Sequence, residues 1–315
     1  MQEWVVDQAG AGMRLDQWLA LRTDARSRSR ASEWIQRGKV YLAGEPVDAT
    51  QGGMRLLEGD RVGVWIDRPG SSKPADLSVL DARHLLAIAY EDAAIVVVDK
   101  PAGLIVEPLP GRPRDESTLL DLLRDHYRHM PRTALHVVHR IDRDTTGLVL
   151  FARSPAARDA LKEQFEERTP DRVYQAVVLG KPVPARGTWK DKLAWDALSL
   201  RQRRAHGTDA RAKDAISHYK VVEQFAEAAL LEVSLTTGKR NQIRVQTAFR
   251  GHPLIGERQY RFEAPAEPAG MPTLDRQALH ACRLGFVHPG TGKRVEFTSS
   301  MPDDMTELVE QLRRR

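Results

Sequence analysis

An aspartate between two arginines is the group in this sequence best suited to covalent chemistry. Asp142 lies two residues after Arg140 and one residue before Arg143. A nearby cation stabilises the ionised form of a carboxylate, so this side chain suits the role of a nucleophile better than that of a proton donor. The alternative interpretation is a salt bridge with a purely structural role. The surrounding sequence has to decide between the two.

The residues that follow Asp142 predict a loop mounted on a buried strand. Thr145-Thr146-Gly147 allows a tight turn, and residues 148–152 form an apolar run of strand length. Reactive groups are often carried on loops that a rigid element holds in place. The His-Arg-x-Asp pattern also occurs in protein kinases, but no Asp-Phe-Gly and no G-x-G-x-x-G accompanies it here.

Composition limits the class of protein. The chain has 315 residues, 41% of them hydrophobic, with a formal net charge of +5. This is enough for two domains with real cores, and the charge is compatible with a polyanionic partner. The single cysteine, Cys282, predicts no intrachain disulfide and no cysteine-rich zinc site. With no apolar leader and no membrane-length apolar run, we expect a soluble cytoplasmic protein.

The chain is predicted to contain two domains. Residues 1–66 form a small module with helices near 14–21 and 29–37, residues 67–80 form a linker rich in Pro, Ser and Gly, and residues 81–315 form a larger domain. In the larger domain strands outnumber helices, without a regular β-α-β alternation. We therefore expect an α+β fold with a mixed, mostly antiparallel sheet.

Basic side chains are concentrated in three segments. These are residues 22–39, residues 238–250 and a loop-like stretch at 201–213. Each could be an ordinary solvated face. Together, and with the aromatic ring of Tyr174 beside Arg172, they suit a groove for nucleic acid that contains a base-stacking surface.

The N-terminal module resembles the alpha-L RNA-binding domain of ribosomal proteins and RNA-modifying enzymes. The resemblance is carried, in order, by Arg14-Leu15-Asp16, Ser27-Arg28-Ser29, Gly38-Lys39-Val40 and Gly59-Asp60-Arg61-Val62. It implies an RNA-contacting surface, to which we assign Arg28, Arg30 and Lys39.

The larger domain resembles the RluA-like pseudouridine synthases, whose members acting on large-subunit ribosomal RNA carry an alpha-L domain before the catalytic domain. The resemblance implies the pseudouridine synthase fold, with a central cleft. Its landmarks are Asp99-Lys100-Pro101-Ala102-Gly103-Leu104, His139 to Asp142 with Thr145-Thr146-Gly147, Arg172-Val173-Tyr174, Thr237-Gly238 with Gln242-Ile243-Arg244, Gly251-His252-Pro253 with Gly256, and Leu279-His280-Ala281.

The resemblance implies a role for each matching residue. Asp142 would be the catalytic aspartate and Arg244 the cation paired with it. Tyr174 would stack on the target uracil, Ile243 would help to wall the pocket, and Arg140 would enter the space left by the flipped base. Unstacking a base costs about a few kcal/mol, which these contacts would offset.

Several positions depart from the family pattern. The usual Arg-Thr-His before Gln-Ile-Arg is Lys239-Arg240-Asn241 here, and the usual Asp after Gly256 is Glu257. We expect Arg240 and Asn241 to lie near the RNA path, where they would affect the choice of target.

The resemblance implies a redox-neutral isomerisation of uridine in RNA, with no cofactor and no metal. The predicted substrate is structured ribosomal RNA, with tRNA as the alternative, and the predicted state is a monomer. A catalytically silent RNA-binding or ribosome-assembly factor on the same fold is the alternative function, and a base-excising glycosylase is a third. The sequence does not choose between attack by Asp142 at ribose C1′ and at uracil C6.

Overall fold

The computed structural model describes residues 2–47, 49–65, 86–108, 117–130, 134–196, 201–205, 208–262 and 268–315. The chain divides into two compact units, Met1–Lys73 and Pro74–Arg315. The predicted linker at 67–80 lies outside the described residues. No helix within the described ranges has the length and apolar character needed to cross a membrane.

The N-terminal unit packs two helices against a small antiparallel sheet of strand order β1-β4-β2-β3. Its elements are β1 (Gln2–Val5), α1 (Leu15–Arg22), α2 (Arg28–Gln36), β2 (Val40–Leu42), β3 (Glu45–Pro46), a 3-10 turn (Ala49–Gly53) and β4 (Arg61–Val64). Both helices form within one residue of their predicted starts. Ser27 caps α2 by accepting a hydrogen bond from the backbone of Arg30 at 3.2 Å, and Leu15, Trp18 and Ile35 are buried between the layers.

The second unit is built on one large twisted sheet with helices packed against it. Its elements are β5 (Ala87–Glu91), β6 (Ile95–Lys100), α3 (Leu119–His126), β7 (His136–Val137), β8 (Thr146–Ala152), α4 (Pro155–Glu167), β9 (Asp171–Leu179), β10 (Arg186–Asp196), β11 (Arg201–Arg204), β12 (Lys213–Gln224), β13 (Ala228–Leu235), α5 (Gln242–Ala248), β14 (Leu279–Val287), β15 (Arg294–Thr298) and α6 (Asp303–Arg313).

The sheet order confirms the α+β prediction. The strands run β11-β10-β12-β13-β9-β14-β8-β6-β5, with β15 beside β14 and β7 beside β8. Among the described strand pairs only β8 and β14 are parallel, and the others are antiparallel. Every residue of β8 is buried, as its apolar sequence predicts, so the loop that carries Asp142 leads directly into an interior strand of the sheet.

The prediction of a loop over residues 201–213 is wrong for its first four residues. Residues 201–204 form β11, which pairs with β10 over Leu193–Asp196. The arginines concealed this strand because an edge strand buries few side chains, and here the only buried one is Gln202. The long strand β10 was not predicted either, since lysines and aspartates alternate with its buried Trp189 and Leu193.

Gly147, the second residue of β8, is expected to tolerate no side chain. Its φ is +108°, and a Cβ there would lie 2.3 Å from the backbone oxygen of Ala281 on β14. Gly147→Ala should lower the free energy of unfolding by about 3 kcal/mol, because strain and a backbone clash add. Gly292→Ala is the matched control, with φ +66° and no atom within 4 Å of the added carbon. Equal losses in urea unfolding would contradict the packing described here.

Candidate active site

Lys100 fastens the loop that carries Asp142. Its ammonium donates hydrogen bonds to the carbonyls of Pro101 and Leu104 at 2.7 and 2.8 Å, and to the carbonyl of Arg143 at 2.7 Å. Three acceptors match the three donors of a charged lysine. Burial lowers the pKa of Lys100 to about 7, while the charges of Asp144 and Asp142 act in the opposite direction. The residue after the candidate nucleophile is thus tied to the segment that follows β6.

The Asp142 carboxylate is held through one of its two oxygens. Oδ2 accepts a hydrogen bond from Nδ2 of Asn241 at 2.7 Å and one from Nη1 of Arg244 at 3.2 Å. Among the described residues no group donates a hydrogen bond to Oδ1. The side chain keeps 24% of its surface exposed, so the carboxylate is partly accessible to a reacting atom. This is a suitable geometry for a fixed anionic nucleophile.

Arg244 is held in place by a second carboxylate, Glu257. Nε of Arg244 donates to Oε2 of Glu257 at 2.7 Å and Nη2 donates to Oε1 at 2.8 Å, a bidentate pair whose carboxylate is fully buried. Burial alone would lower the pKa of Arg244, but Glu257 and then Asp142 raise it above its ordinary value. The guanidinium beside Asp142 is therefore permanently charged.

Asn241 links Asp142 to β11. It directly precedes α5, with φ 53° and ψ 23°, a left-handed conformation that asparagine adopts more readily than most residues. While its amide nitrogen donates to Asp142, its Oδ1 accepts from the hydroxyl of Tyr260 at 3.2 Å. That hydroxyl in turn accepts from the backbone N–H of Gln202 at 3.0 Å. We call this series the Asn241–Tyr260 chain.

Tyr174 lies on β9 with 8% of its surface exposed, in the apolar cluster that also contains Ile141 and Ile243. Burial raises the pKa of the Tyr174 hydroxyl; the charge of Arg172 lowers it and that of Asp142 raises it. The ring and the carboxylate therefore interact electrostatically. The structure thus brings Tyr174, Ile243 and Arg244 into the surroundings of Asp142.

Arg140 and Arg240 are two exposed arginines near Asp142 in the chain or in the structure. Nη1 of Arg140 is 3.8 Å from Oε1 of Glu107. The guanidinium carbon of Arg240 is 4.0 Å from the ring centroid of Trp195. Partial desolvation and the charge of Arg140 lower the pKa of Arg240, and the charge of Asp142 raises it. Trp195 was not singled out from the sequence.

The three basic residues assigned to the N-terminal module differ in accessibility. Arg28 is exposed and its Nη2 lies 3.1 Å from Oδ2 of Asp16, and the guanidinium of exposed Arg30 is 5.9 Å from the ring of Trp34. Lys39 is only 9% exposed. The arginines are therefore better placed than Lys39 to contact a phosphate.

Removing the amide of Asn241 should lower kcat with little effect on KM. Asn241→Gly keeps the left-handed backbone but removes the donor to Asp142, and we expect a loss of about 10- to 100-fold in kcat because the carboxylate loses its alignment. Tyr260→Phe should give a smaller loss in the same direction. Steady-state kinetics on the RNA substrate that the family resemblance implies, with thermal melting to check folding, measure this. An increase in KM alone would instead make Asn241 an RNA contact.

His139 should make the protein less stable as the pH falls below about 6.5. Its Nε2 accepts from the backbone of Leu150 at 3.1 Å, and burial, then the charge of Arg172, lower its pKa to about 3. Below about pH 6.5 the unfolded chain therefore binds a proton at His139 that the folded chain does not bind, so stability rises with pH between about 3 and 6.5. When the pH is lowered from 7.5 to 5, the free energy of unfolding of wild type should fall by about 2 kcal/mol more than that of His139→Gln. Urea unfolding that shows the same fall for both proteins would contradict this.

Comparison with known proteins identifies the family. The family model described as RNA pseudouridylate synthase matches residues 94–249, and the S4 domain matches residues 13–62. The uncharacterized RNA pseudouridine synthase YlyB of Bacillus subtilis (strain 168) is 35% identical over 305 residues, covering 96% of this chain and 94% of that protein. Ribosomal large subunit pseudouridine synthase D of Escherichia coli (strain K12) is 34% identical over 320 residues, covering 98% and 93%.

A solved structure shares the fold. Human RNA Pseudouridylate Synthase Domain Containing 4 superposes with a TM-score of 0.61 at 22% identity, covering 74% of this chain and 95% of that one. The full-length relatives and the two family matches together establish that this chain belongs to the RNA pseudouridine synthases, a family of isomerases, and carries an S4 RNA-binding domain.

Proposed function

We propose that this enzyme converts uridine to pseudouridine in large-subunit ribosomal RNA, with Asp142 as the nucleophile. The observation that carries the proposal is the partly exposed Asp142 carboxylate, held through Oδ2 by Asn241 and Arg244, with no donor to Oδ1 among the described residues. Relatives named ribosomal large subunit pseudouridine synthase D, similar over 98% of this chain, support ribosomal RNA as the substrate.

The charge arrangement favours isomerisation over base excision. A glycosidase uses a second carboxyl group as a protonated acid. Glu257 is unsuited to that role, because both its oxygens are bonded to Arg244 and Oε1 also accepts from the backbone of Gln259 at 2.7 Å. Asp142 is therefore the one carboxylate of this group that faces the substrate, while Glu257 serves to keep Arg244 charged.

The reaction needs only this one nucleophile. Asp142 Oδ1 bonds to the target nucleoside, at ribose C1′ or at uracil C6, and the bond between N1 and C1′ breaks. The uracil is retained and turns. If the ester is at C1′, C5 bonds to C1′ as the bond between C1′ and the aspartate oxygen breaks, and C5 then loses its proton. If the adduct is at C6, C5 bonds to the freed C1′, and the carboxylate leaves C6 as C5 loses its proton. On both routes N1 gains a proton and the carboxylate is regenerated, so atoms and electrons balance. Tyr174 covers the uracil during these steps and Arg244 stabilises the carboxylate as it leaves.

The remaining parts of the chain serve RNA binding. The target uridine is flipped out of its stack, and Arg140 fills the space that it leaves. Residues 1–66 bind RNA through Arg28 and Arg30, residues 67–80 are a linker, and residues 81–315 catalyse the reaction. The enzyme acts as a monomer in the cytoplasm and uses no cofactor.

Pseudouridine mapping tests this proposal. Ribosomal RNA and tRNA from cells with and without the gene are compared at nucleotide resolution, and the deletion strain is complemented with wild type or Asp142→Asn. We expect one or more large-subunit sites to be lost on deletion and restored only by wild type. Loss confined to tRNA would refute the ribosomal substrate. Restoration by the Asp142→Asn enzyme would refute the nucleophile.

A further inference from the structure

Trp195 and Arg240 form a stacked pair to which the proposed reaction assigns no role. The guanidinium carbon of Arg240 is 4.0 Å from the ring centroid of Trp195, the shortest distance among the cation–aromatic pairs of the described residues. Arg240 is exposed and Trp195 is partly exposed. The pair therefore presents a planar, cationic and aromatic surface to solvent.

The pair is fixed close to the nucleophile from two directions. Arg240 directly precedes Asn241, whose amide contacts Asp142 at 2.7 Å. Trp195 lies opposite Gln202 in the β10–β11 register, and Gln202 is the far end of the Asn241–Tyr260 chain. The same hairpin therefore supports both the stacked pair and the carboxylate. A molecule bound at Asp142 would extend past this surface.

The chemistry of the pair matches an unpaired nucleotide. A guanidinium plane and an indole ring both stack on nucleobases, and the positive charge of arginine attracts the phosphate backbone. The exposed Arg140, whose charge acts on Arg240, adds to the positive potential. When a uridine is extruded, the base next to it loses a stacking neighbour. A surface that replaces this neighbour would favour the extruded state.

We propose that the Trp195–Arg240 pair is a stacking platform for an unpaired base adjacent to the target uridine. The inference rests on the proposed function, because it places an RNA with an extruded uridine at Asp142. One stacked base strengthens binding by roughly 5- to 150-fold. The platform would make target choice depend on whether the neighbouring nucleotide is free to stack, since every base has an aromatic face.

Binding of the full-length enzyme to synthetic RNA stem-loops tests the platform. Each stem-loop carries a single uridine in its loop, with either adenosine or an abasic nucleotide on its 5′ or its 3′ side. Affinities are measured by fluorescence anisotropy at one fixed salt concentration. The variants are Trp195→Leu, which removes the aromatic ring, Trp195→Phe, which retains one, and Arg240→Lys, which keeps the charge and loses the planar fork.

The matched control is Arg153→Lys. Arg153 stacks on the ring of Tyr127 with its guanidinium carbon 4.8 Å from the centroid, so the same chemical change is made at another arginine–aromatic pair. Thermal melting of each variant checks that it is folded. Pseudouridine formation is measured on the same RNAs, which separates the test of the platform from the test of the reaction.

For one side of the uridine, wild type should bind the adenosine RNA at least about fivefold tighter than the abasic RNA. Trp195→Leu and Arg240→Lys should bind both RNAs with the affinity that wild type has for the abasic one, while Trp195→Phe and Arg153→Lys keep the preference. No preference in wild type, or a preference retained by Trp195→Leu and Arg240→Lys, would overturn the platform. A wild type that shows the preference but forms no pseudouridine in a stem-loop copied from a mapped site would refute the proposed function and leave the platform standing.

Discussion

Asp142→Asn is expected to abolish pseudouridine formation, with kcat lowered by at least about 10⁴-fold, while RNA affinity stays close to that of wild type. The amide has nearly the size of the carboxylate, and its oxygen can still accept a hydrogen bond from Arg244 or Asn241. It lacks the negative charge, however, and is a poor nucleophile. Single-turnover assays, with pseudouridine measured by mass spectrometry after RNA digestion, would show the loss.

The matched control is Asp144→Asn, which makes the same change two residues away in the same loop. Asp144 contributes its backbone carbonyl to Arg276 at 3.3 Å, and in the described residues its side chain contacts neither Arg244 nor Asn241. It should retain most of the activity. If the two variants lost activity equally, the effect would come from charge in the loop rather than from a nucleophile, and the assignment of Asp142 would be wrong.

Arg244→Gln is expected to cause two separate losses. It removes the cation 3.2 Å from Asp142, and it leaves Glu257 as a buried carboxylate without its counter-charge. An unpaired buried charge typically costs about 3–5 kcal/mol of stability. We therefore expect a large fall both in the free energy of unfolding and in kcat.

The double variant Arg244→Gln/Glu257→Gln separates these two losses. Two neutral amides remove the uncompensated charge, so most of the stability should return. Activity should not return, because no cation faces Asp142. Urea unfolding and single-turnover kinetics on wild type, both single variants and the double variant complete the cycle. If activity returned together with stability, the role of Arg244 would be structural and not catalytic.

The general fold was accessible from the sequence because its strongest signals are local. The apolar run of residues 148–152 predicts β8, and the sheet is mixed and mostly antiparallel as expected. The errors occur where charged side chains obscure the alternation of apolar and polar residues that is typical of a strand. The arginines of β11 are read as a solvated loop, although backbone pairing with β10 and burial of Gln202 make them part of the sheet edge.

The candidate site was accessible only in part. Asp142 and its proximity to arginine are visible in the sequence, and the pairing with Arg244 is what the family resemblance implies. The contact of Asn241 with Asp142 joins residues 99 positions apart, so no local pattern reveals it. Glu257 gives one signal, an acidic residue after the glycine at 256, but its role depends on complete burial against Arg244. Neither burial nor the Tyr260 link is encoded in a short motif.

The most direct test of the central claim is detection of a covalent bond between Asp142 and RNA during the first turnover. Enzyme and substrate RNA are mixed, quenched in denaturant within milliseconds to seconds, digested with nuclease and protease, and analysed by mass spectrometry. The account predicts a uridine-derived nucleotide attached to the peptide that contains Asp142, rising and then decaying as pseudouridine appears, and absent with Asp142→Asn. An adduct on another residue, or full isomerisation by Asp142→Asn, would contradict it.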